Sequence, residues 1–494
     1  MHLRLSWLPS LVRRESLVPT QPNTALPSRL ACPPNLNESP TELHLVMNPI
    51  SEASIREACL PGNANERGNI PGAQPNLSVD EILAEIERIA DLPLEQSTTL
   101  PPQAYTDEAF FNWEVNNLFK NDWFCLAHIS QIQNIGDFIN VDPFGEPLII
   151  IRDKDNEIQV LSRVCPHRAM DIMPPGFGYD GHTMATPSEG NPGCGNTRFL
   201  LCPYHFWTFE LDGNLKACAE MGQAEDFKRD EWSLKSFRSE VWNGFIFVNL
   251  DGNAPRSVAE QYAELNEDVS PWDLANMELI AANEWDCNFN WKVLTENFME
   301  SYHHAGAHSK TLQTMMPARD TWTEIEKPFH IRCHLPLKDS LREEIRKMES
   351  EGKLWDTFPP VPNLPEEKRM SWGLIMGFPL FTCVTTADSF IWYRILPMGT
   401  DRLKLLTTIL VPKGSTKLPD FEERRDQANE AGINFHLEDM EVCMAVQRGL
   451  YAAGYQRGRL SHLEMPVWLI QRFLAARSRD TWPTLDRDPA PGQI

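Results

Sequence analysis

The segment "ENFMESYHHAGAHSKTL", residues 296–312, packs His303, His304 and His308 into six positions just after Glu296 and Glu300. Imidazoles and carboxylates at this density are ligand chemistry for a transition metal. Spacing alone pairs His304 with His308, because residues i and i+4 share one face of a helix. His303 and His308 stand at i and i+5, which a straight helix keeps apart. Gly306 lies between them and breaks or tightens the turn, and past a helix end the i, i+5 pair comes into reach. Trp291, Leu294 and Phe298 have helical spacing, so the segment sits on a helix or at its end.

A second constellation lies upstream. "RVCPHRAMD" holds Cys165 and His167, and "LLCPYHFWTF" holds Cys202 and His205. Two Cys and two His in paired short loops fit a structural zinc. They equally fit a [2Fe–2S] cluster with Cys on one iron and His on the other. Each loop supplies one thiolate and one imidazole, and Trp207, Phe209 and Gly213 follow the second loop; both features favour the cluster. The 34 residues between His167 and Cys202 are rich in Gly and polar residues and read as a surface loop. That loop carries His182 and Cys194, which the two complete pairs leave as loop residues.

The elements that must position these groups follow from the rest of the chain. At 494 residues it exceeds a single core of ordinary size, so at least two domains are expected. A formal net charge of −24 argues against nucleic acid or an anionic membrane as partner. The uncharged stretch 370–387 carries Pro379, two glycines and several polar residues, and reads as buried strands rather than a membrane span. Eleven scattered cysteines lack the density of a disulfide scaffold and fit a cytoplasmic enzyme that uses some of them as ligands. Residues 1–78 read as a disordered tail. Four arginines, no lysine and one acid in the first 37 residues make an organellar transit peptide the alternative.

Residues 79–121 read as N-terminal helices packing on the catalytic domain, starting with "SVDEILAEIERIADL" and its stripe Ile82, Leu83, Ile86 and Ile89. Short β-type runs fill 122–260, with "RDKDNEI" as a hairpin signal. Residues 261–494 start helical and continue through the histidine cluster. Strands then fall around 327–334, 371–385, 390–397 and 403–411, and helix runs from about 420 to 479. This order is α+β: a small β domain followed by a mixed one.

Here the residues reach a resemblance. The loops at Cys165/His167 and Cys202/His205 resemble the two halves of a Rieske domain. Asn290-Trp291-Lys292, Glu296-Asn297, Glu300, Tyr302-His303 and His308 resemble the catalytic motif of Rieske non-heme iron oxygenase α subunits. The resemblance covers roughly residues 104–470. It implies a β-rich Rieske [2Fe–2S] domain plus a helix-grip (START-like) domain, an antiparallel sheet curved around a long helix with mononuclear Fe(II) inside. It puts His303 and His308 in the iron-ligand places and leaves His304 as a neighbour at the pocket wall. The third ligand comes from "FHLEDMEVCMAVQRGL", with Asp439 in the ligand place and Glu438 as runner-up. Asn297 and Glu300 take catalytic places. Glu300 would bridge His205 of a neighbouring copy and His303 of its own chain in a homotrimer.

The implied chemistry is hydroxylation, dihydroxylation or oxidative demethylation of a small organic substrate by O₂. Electrons would come from NAD(P)H through a separate ferredoxin or flavin reductase, since the chain carries no Gly-rich dinucleotide fingerprint. Glu rather than Asp at 300 resembles the branch acting on quaternary amines such as carnitine or betaine. Trp322, Trp355, Trp372 and Trp392 are candidates for a cation–π cage. The chain departs from the family in its long loop and in "HRA" and "HFW", where the family carries "HRG" and "HGW". Two other classes stay in view: a stand-alone Rieske electron carrier, and a zinc-stabilised binding protein of the same fold.

Overall fold

A computed structural model describes residues 76–172, 193–325 and 327–483. The tail expected over 1–78 therefore lies almost wholly outside the described residues, as does His182. Helix α1 (Val79–Ala90) starts where the sequence signals it, at a capping box between Ser78 and Glu81, and buries Ile82, Ile86 and Ile89. It packs against the chain's last helix, and α2 (Glu108–Glu114) follows it.

The first domain is built from short antiparallel strands. β2 (Asp137–Val141), β3 (Leu148–Arg152), β4 (Ile158–Ser162) and β5 (Cys194–Asn196) form a sheet in the order β4-β3-β2-β5. The hairpin signal falls where β3 meets β4. There the Asp153 carboxylate accepts from the backbone N–H groups of Asp155 and Glu157, both at 2.9 Å. β6 (Leu200–Leu201), β7 (Thr208–Phe209) and β8 (Leu215–Ala217) form a second small sheet. A third joins β1 (Phe124–His128) to β9 (Arg238–Trp242) and β10 (Phe245–Asn249), with β10 in the centre.

The second domain is a seven-stranded antiparallel sheet. Its strands are β11 (Glu278–Cys287), β12 (Trp322–Thr323), β13 (His330–Pro336), β14 (Ser371–Gly377), β15 (Phe381–Thr385), β16 (Phe390–Pro397) and β17 (Leu403–Val411), in the order β11-β17-β16-β15-β14-β13-β12. The stretch 370–387 is two of these strands, buried as expected. Strand alternation gives the sheet two apolar faces. On β16, Trp392 packs on Phe245 of the β1-β10-β9 sheet at 5.4 Å, while Tyr393 turns the other way toward the helices. That second face is covered by α3 (Trp291–Met299) and by α4 (Phe421–Leu450), a helix of 30 residues. Its buried residues Asn429, His436, Met440, Cys443, Gln447 and Leu450 recur every three, four or seven positions, one stripe along the helix. The helical end of the chain is thus two helices, α4 and α5 (Met465–Ser478).

What holds α3 in place is written in "NWK". Asn290 caps the helix by accepting from the Lys292 N–H at 2.9 Å, and its amide donates to the carbonyls of Tyr105 and Thr400. Its own N–H donates to Gln447 on α4 at 2.8 Å. Trp291 Nε1 donates to Glu114 at 3.1 Å, and Lys292 Nζ meets the same carboxylate at 2.5 Å. Both side chains of that ion pair are fully buried. Burial pushes the Glu114 carboxyl up and the Lys292 ammonium down from their ordinary values, and each is opposed by the other's charge.

Breaking one side of such a pair strands the other. Glu114→Gln is expected to cost about 3–5 kcal/mol, read as a lowered denaturation midpoint, whereas the paired change Glu114→Leu with Lys292→Met recovers most of it. Equal losses in the single and double variants would show that the pair's charges are not what matters.

Candidate metal centres

The two upstream loops have one shape. In the first, the Ala169 N–H donates to the Cys165 carbonyl at 3.0 Å and the Cys165 N–H to Met170 at 2.9 Å. In the second, the Phe206 N–H donates to Cys202 at 3.0 Å and the Cys202 N–H to Trp207 at 2.8 Å. The histidine stands two places after the cysteine in one loop and three in the other, so the loops match but their imidazoles are offset. Cys165 and Cys202 are buried in a core of Phe138, Ile149, Leu161, Trp207 and Phe209. The two sulfurs lie close enough to share a hydrogen bond.

His167 and His205 sit nearer the surface, their rings 4.6 Å apart. His167 stacks on Trp207 at 4.8 Å, and Tyr204 covers His205 at 3.8 Å. The Nδ1 atoms of both histidines are enclosed and have no hydrogen-bond partner. Two adjacent thiols and two orphaned imidazole nitrogens fit a [2Fe–2S] cluster with its sulfur-bound iron inside and its nitrogen-bound iron outside. Gly213, at φ +89°, keeps its loop against Leu161, where a Cβ would fall 3.2 Å from that side chain. Cys194 lies on β5, outside both loops.

The "HRA" and "HFW" departures have a definite place. Ala169 and Phe206 both occupy the left-handed region, at φ 55° and 61°. A side chain there costs roughly 1–2 kcal/mol relative to glycine.

The second centre begins where α3 ends. The helix stops at Met299, and Glu300 is extended at φ −115°, ψ 159°. Gly306 was expected to break the helix, but the break comes before the first histidine. The cause is local: the Glu300 side chain turns back to accept from the His303 N–H at 3.1 Å and pairs with His303 Nδ1 at 2.7 Å. A short 3₁₀ turn, Tyr302–Ala305, then carries His303 and His304. Off the helix, the i, i+5 pair converges. One ligand atom each from His303, His308 and Asp439 lie within 4.8 Å of one another. Asp439 Oδ1 is 2.9 Å from His308 Nε2 and 3.4 Å from His303 Nε2. Burial opposes charge in this group, but the hydrogen bonds outweigh it. Asp439 is held well below the carboxylate range by His303 and His308, and His303 is raised to about 10 by Asp439 and Glu300. A divalent cation held there would take the place of those protons. The unused Nδ1 atoms are both held by acids, so each imidazole is oriented with Nε2 toward the centre.

Glu438 is the second of those acids. It accepts from His308 Nδ1 at 2.6 Å and from the Thr311 hydroxyl at 2.9 Å, and so stands behind the ligand, not among the three. His304 stays outside the group. Its ring lies 5.1 Å from His303 and 5.5 Å from His308, and its Nδ1 faces the Met316 carbonyl at 3.4 Å. Burial, then the His303 charge, lowers it to about 4. Asn297 is half-buried on α3 and makes no side-chain hydrogen bond among the described residues. Glu296, which the motif left without a role, is bound through both oxygens by the Tyr105 hydroxyl at 2.8–2.9 Å.

The four tryptophans do not fall together: Trp355 and Trp372 pack, half-buried, against the core that contains α3 and α4. Trp392 is buried on the opposite face of the sheet, and Trp322 is exposed and stacks on His334 at 3.9 Å. Phe298, Tyr393 and Trp285 also put aromatic rings on the metal side. Phe298 meets Tyr393 at 4.9 Å, and Trp285 meets His436 on α4 at 4.6 Å. In the sequence Phe298 stands out only as part of the helical stripe with Trp291 and Leu294, and Trp285 does not stand out at all. The alternation of β11 and β16 was the available signal, but it does not say which face meets the long helix.

Two family models match the chain: the Rieske [2Fe-2S] domain over residues 122–237, and the catalytic domain of the ring hydroxylating alpha subunit over residues 274–479. The carnitine monooxygenase oxygenase subunit of Escherichia coli K12 is 32% identical over 235 residues, 47% of this chain and 57% of that protein. The chain thus spans little more than half the length of that relative. The glycine betaine monooxygenase oxygenase subunit of Chromohalobacter salexigens is 24% identical over 421 residues, 77% of this chain and 86% of that protein. Among solved structures, the quaternary ammonium Rieske monooxygenase CntA superposes with a TM-score of 0.63 at 22% identity, covering 82% of this chain and 99% of that one. Among the described residues, no helix is long and apolar enough to cross a membrane.

Three outcomes test this geometry. His303→Ala and His308→Ala are expected to lose the mononuclear metal, while His304→Ala keeps it; metal content with the cluster's share subtracted decides. Glu438→Gln is expected to weaken that metal by roughly 10- to 100-fold without abolishing it. Loss as complete as in Asp439→Ala would make Glu438 a ligand. In the cluster loops, Phe206→Gly relieves the left-handed strain and is expected to raise stability by about 1 kcal/mol with the cluster's spectrum unchanged.

Proposed function

The chain belongs to the Rieske-type ring-hydroxylating oxygenase α subunits, and from that premise we propose that it is the oxygenase component of a quaternary-amine monooxygenase. In this reading Cys165, His167, Cys202 and His205 hold the [2Fe–2S] cluster, and His303, His308 and Asp439 hold Fe(II). When bound, these groups supply single-electron transfer and activation of O₂. A ferredoxin or flavin reductase delivers electrons from NAD(P)H.

The observation that carries the reading is the carboxylate behind His303. Glu300 accepts from its Nδ1 at 2.7 Å, which fixes the tautomer and leaves Nε2 for the metal. The same side chain is 11% exposed, and the residues around it open outward. Tyr302 beside it is 52% exposed, and Trp322, one residue beyond Thr321, which bonds Ser301, is 54% exposed. The Rieske domain carries a matching exposed edge: Tyr204 and Phe206 flank His205 and are 50% and 56% exposed. Exposed aromatics on both sides support a homotrimer in which His205 of a neighbouring copy meets Glu300. Neither a stand-alone electron carrier nor a zinc-stabilised binding protein has a use for the second centre of His303, His308 and Asp439.

The substrate class rests on three supports. The relatives act on carnitine and glycine betaine, as their names state. Phe298, Tyr393 and Trp285 offer aromatic faces beside Asp439 for a trimethylammonium group. A net charge of −24 favours a cation's approach. The reaction proposed is oxidation of a carbon next to the quaternary nitrogen, followed by C–N cleavage.

Consumption of NAD(P)H and O₂ with a surrogate reductase, over a panel of quaternary amines, arenes and aryl acids, tests this. Coupled turnover is expected with trimethylammonium compounds; turnover of arenes alone overturns the substrate class. Glu300→Gln is expected to keep both metals and lose turnover by orders of magnitude, with the reduced cluster persisting under O₂. Wild-type cluster oxidation in that variant removes the bridging role.

A further inference from the structure

Among the described residues, four buried imidazole nitrogens have no hydrogen-bond partner. His167 and His205 point theirs at the cluster position. The others are Nε2 of His330 and Nε2 of His436. His330 lies on β13 among Asp268, Lys327 and Glu324, on a strand whose neighbours Ile331 and Cys333 face the core that contains α4. It therefore points away from the metal side. His436 points toward it.

His436 is 4% exposed, and neither ring nitrogen has a hydrogen bond among the described residues. Its ring projects from α4 into the concave face of the sheet, edge-on to Trp285 at 4.6 Å and 6.1 Å from Tyr393. Asp439 is three residues on, so the two side chains share one face of the helix about 5 Å apart along its axis. Tyr393 and Phe298 around it are only half-buried, so they keep surface facing this space. Burial lowers His436 to about 4, against the pull of Asp439, which leaves a neutral ring that offers one donor and one acceptor. An enclosed donor left unpaired is costly, and such groups persist where a ligand completes them.

We propose that His436 is a substrate-binding residue whose ring N–H donates to an oxygen, carboxylate or hydroxyl, on the part of the substrate remote from the carbon that is oxidised. This rests on the oxygenase reading of the preceding subsection. A molecule bound beside Asp439 reaches His436 one helical turn away. The aromatic faces of Phe298 and Tyr393 take its cationic or apolar end, and His436 fixes which way round it lies. The alternative use of the nitrogen is an N–H donated to the face of Trp285, which is a packing role and predicts no dependence on the substrate.

The test is His436→Phe, which keeps an aromatic edge on Trp285 and removes both nitrogens. Two substrate pairs are compared: a trimethylammonium carboxylate against an alkyltrimethylammonium ion of equal length, and an aryl acid against the corresponding arene. In the class that the wild type turns over, the variant is expected to lose roughly 10- to 100-fold in kcat/KM on the oxygen-bearing member, mainly through KM. It should change little on the other member, with iron content and the cluster spectrum unaltered. His436→Gln, which keeps a donor, should recover part of the loss. Should the Phe variant fail to fold, His436→Met carries the same comparison. Equal losses on both members, or on neither, overturn the inference. If only the aryl pair is turned over and the variant separates its members, the quaternary-amine reading fails and the His436 inference stands. If the wild type turns over no member of either pair, both fall.

Discussion

A lysine shut away from water sets the geometry of the catalytic domain. Lys292 has one ion-pair partner among the described residues, Glu114, and the two stand 2.5 Å apart with no exposed surface. An ammonium in that position has no solvent to fall back on, so α3 must sit where α2 offers its carboxylate. Asn290 and Gln447 then tie the start of α3 to the long helix α4. The histidines leave the far end of α3 and Asp439 leaves the middle of α4. Their meeting within 4.8 Å is therefore a consequence of how those two helices are locked.

The site is built from carboxylates used in two ways. Asp439 faces the imidazole Nε2 atoms and stays charged because two histidines hold it there. Glu300 and Glu438 face the opposite edges of the same rings and fix their tautomers. One side chain in the sequence thus serves as an acid at the metal position, and two serve as orienting partners, with the backbone deciding which. Glu300 also ends the helix, so the group that orients His303 is the one that frees it to turn toward His308.

The cluster loops show the opposite economy. Two six-residue turns of equal shape present two thiols and two imidazoles, with the thiols in the core and the imidazoles nearer the surface. Ala169 and Phe206 hold left-handed positions that glycine fills without strain. The exposed aromatic ring at 206 adds apolar surface beside His205, on the edge that the proposed trimer covers.

Much of this was legible in the chain itself. Residue types and their spacing within each loop are local, so Cys165, His167, Cys202 and His205 could be picked out directly as candidate ligands, and the structure brings them together. The strands of the second domain were also readable, since alternation and length are properties of a short window. Spacing could not choose between His303 and His304, because the choice depends on where α3 ends, and that is set by a side chain folding back on a turn. Nor could it separate Glu438 from Asp439, which are neighbours on one helix and differ only in what lies across from them. The tryptophans misled for the same reason: composition counts aromatic rings, while the face of the sheet on which each ring falls depends on strand order. His436 carried no motif at all. Its meaning comes from an unpaired nitrogen enclosed between β11, β16 and α4, and enclosure exists only once residues 285, 393 and 436, distant in sequence, have been brought together.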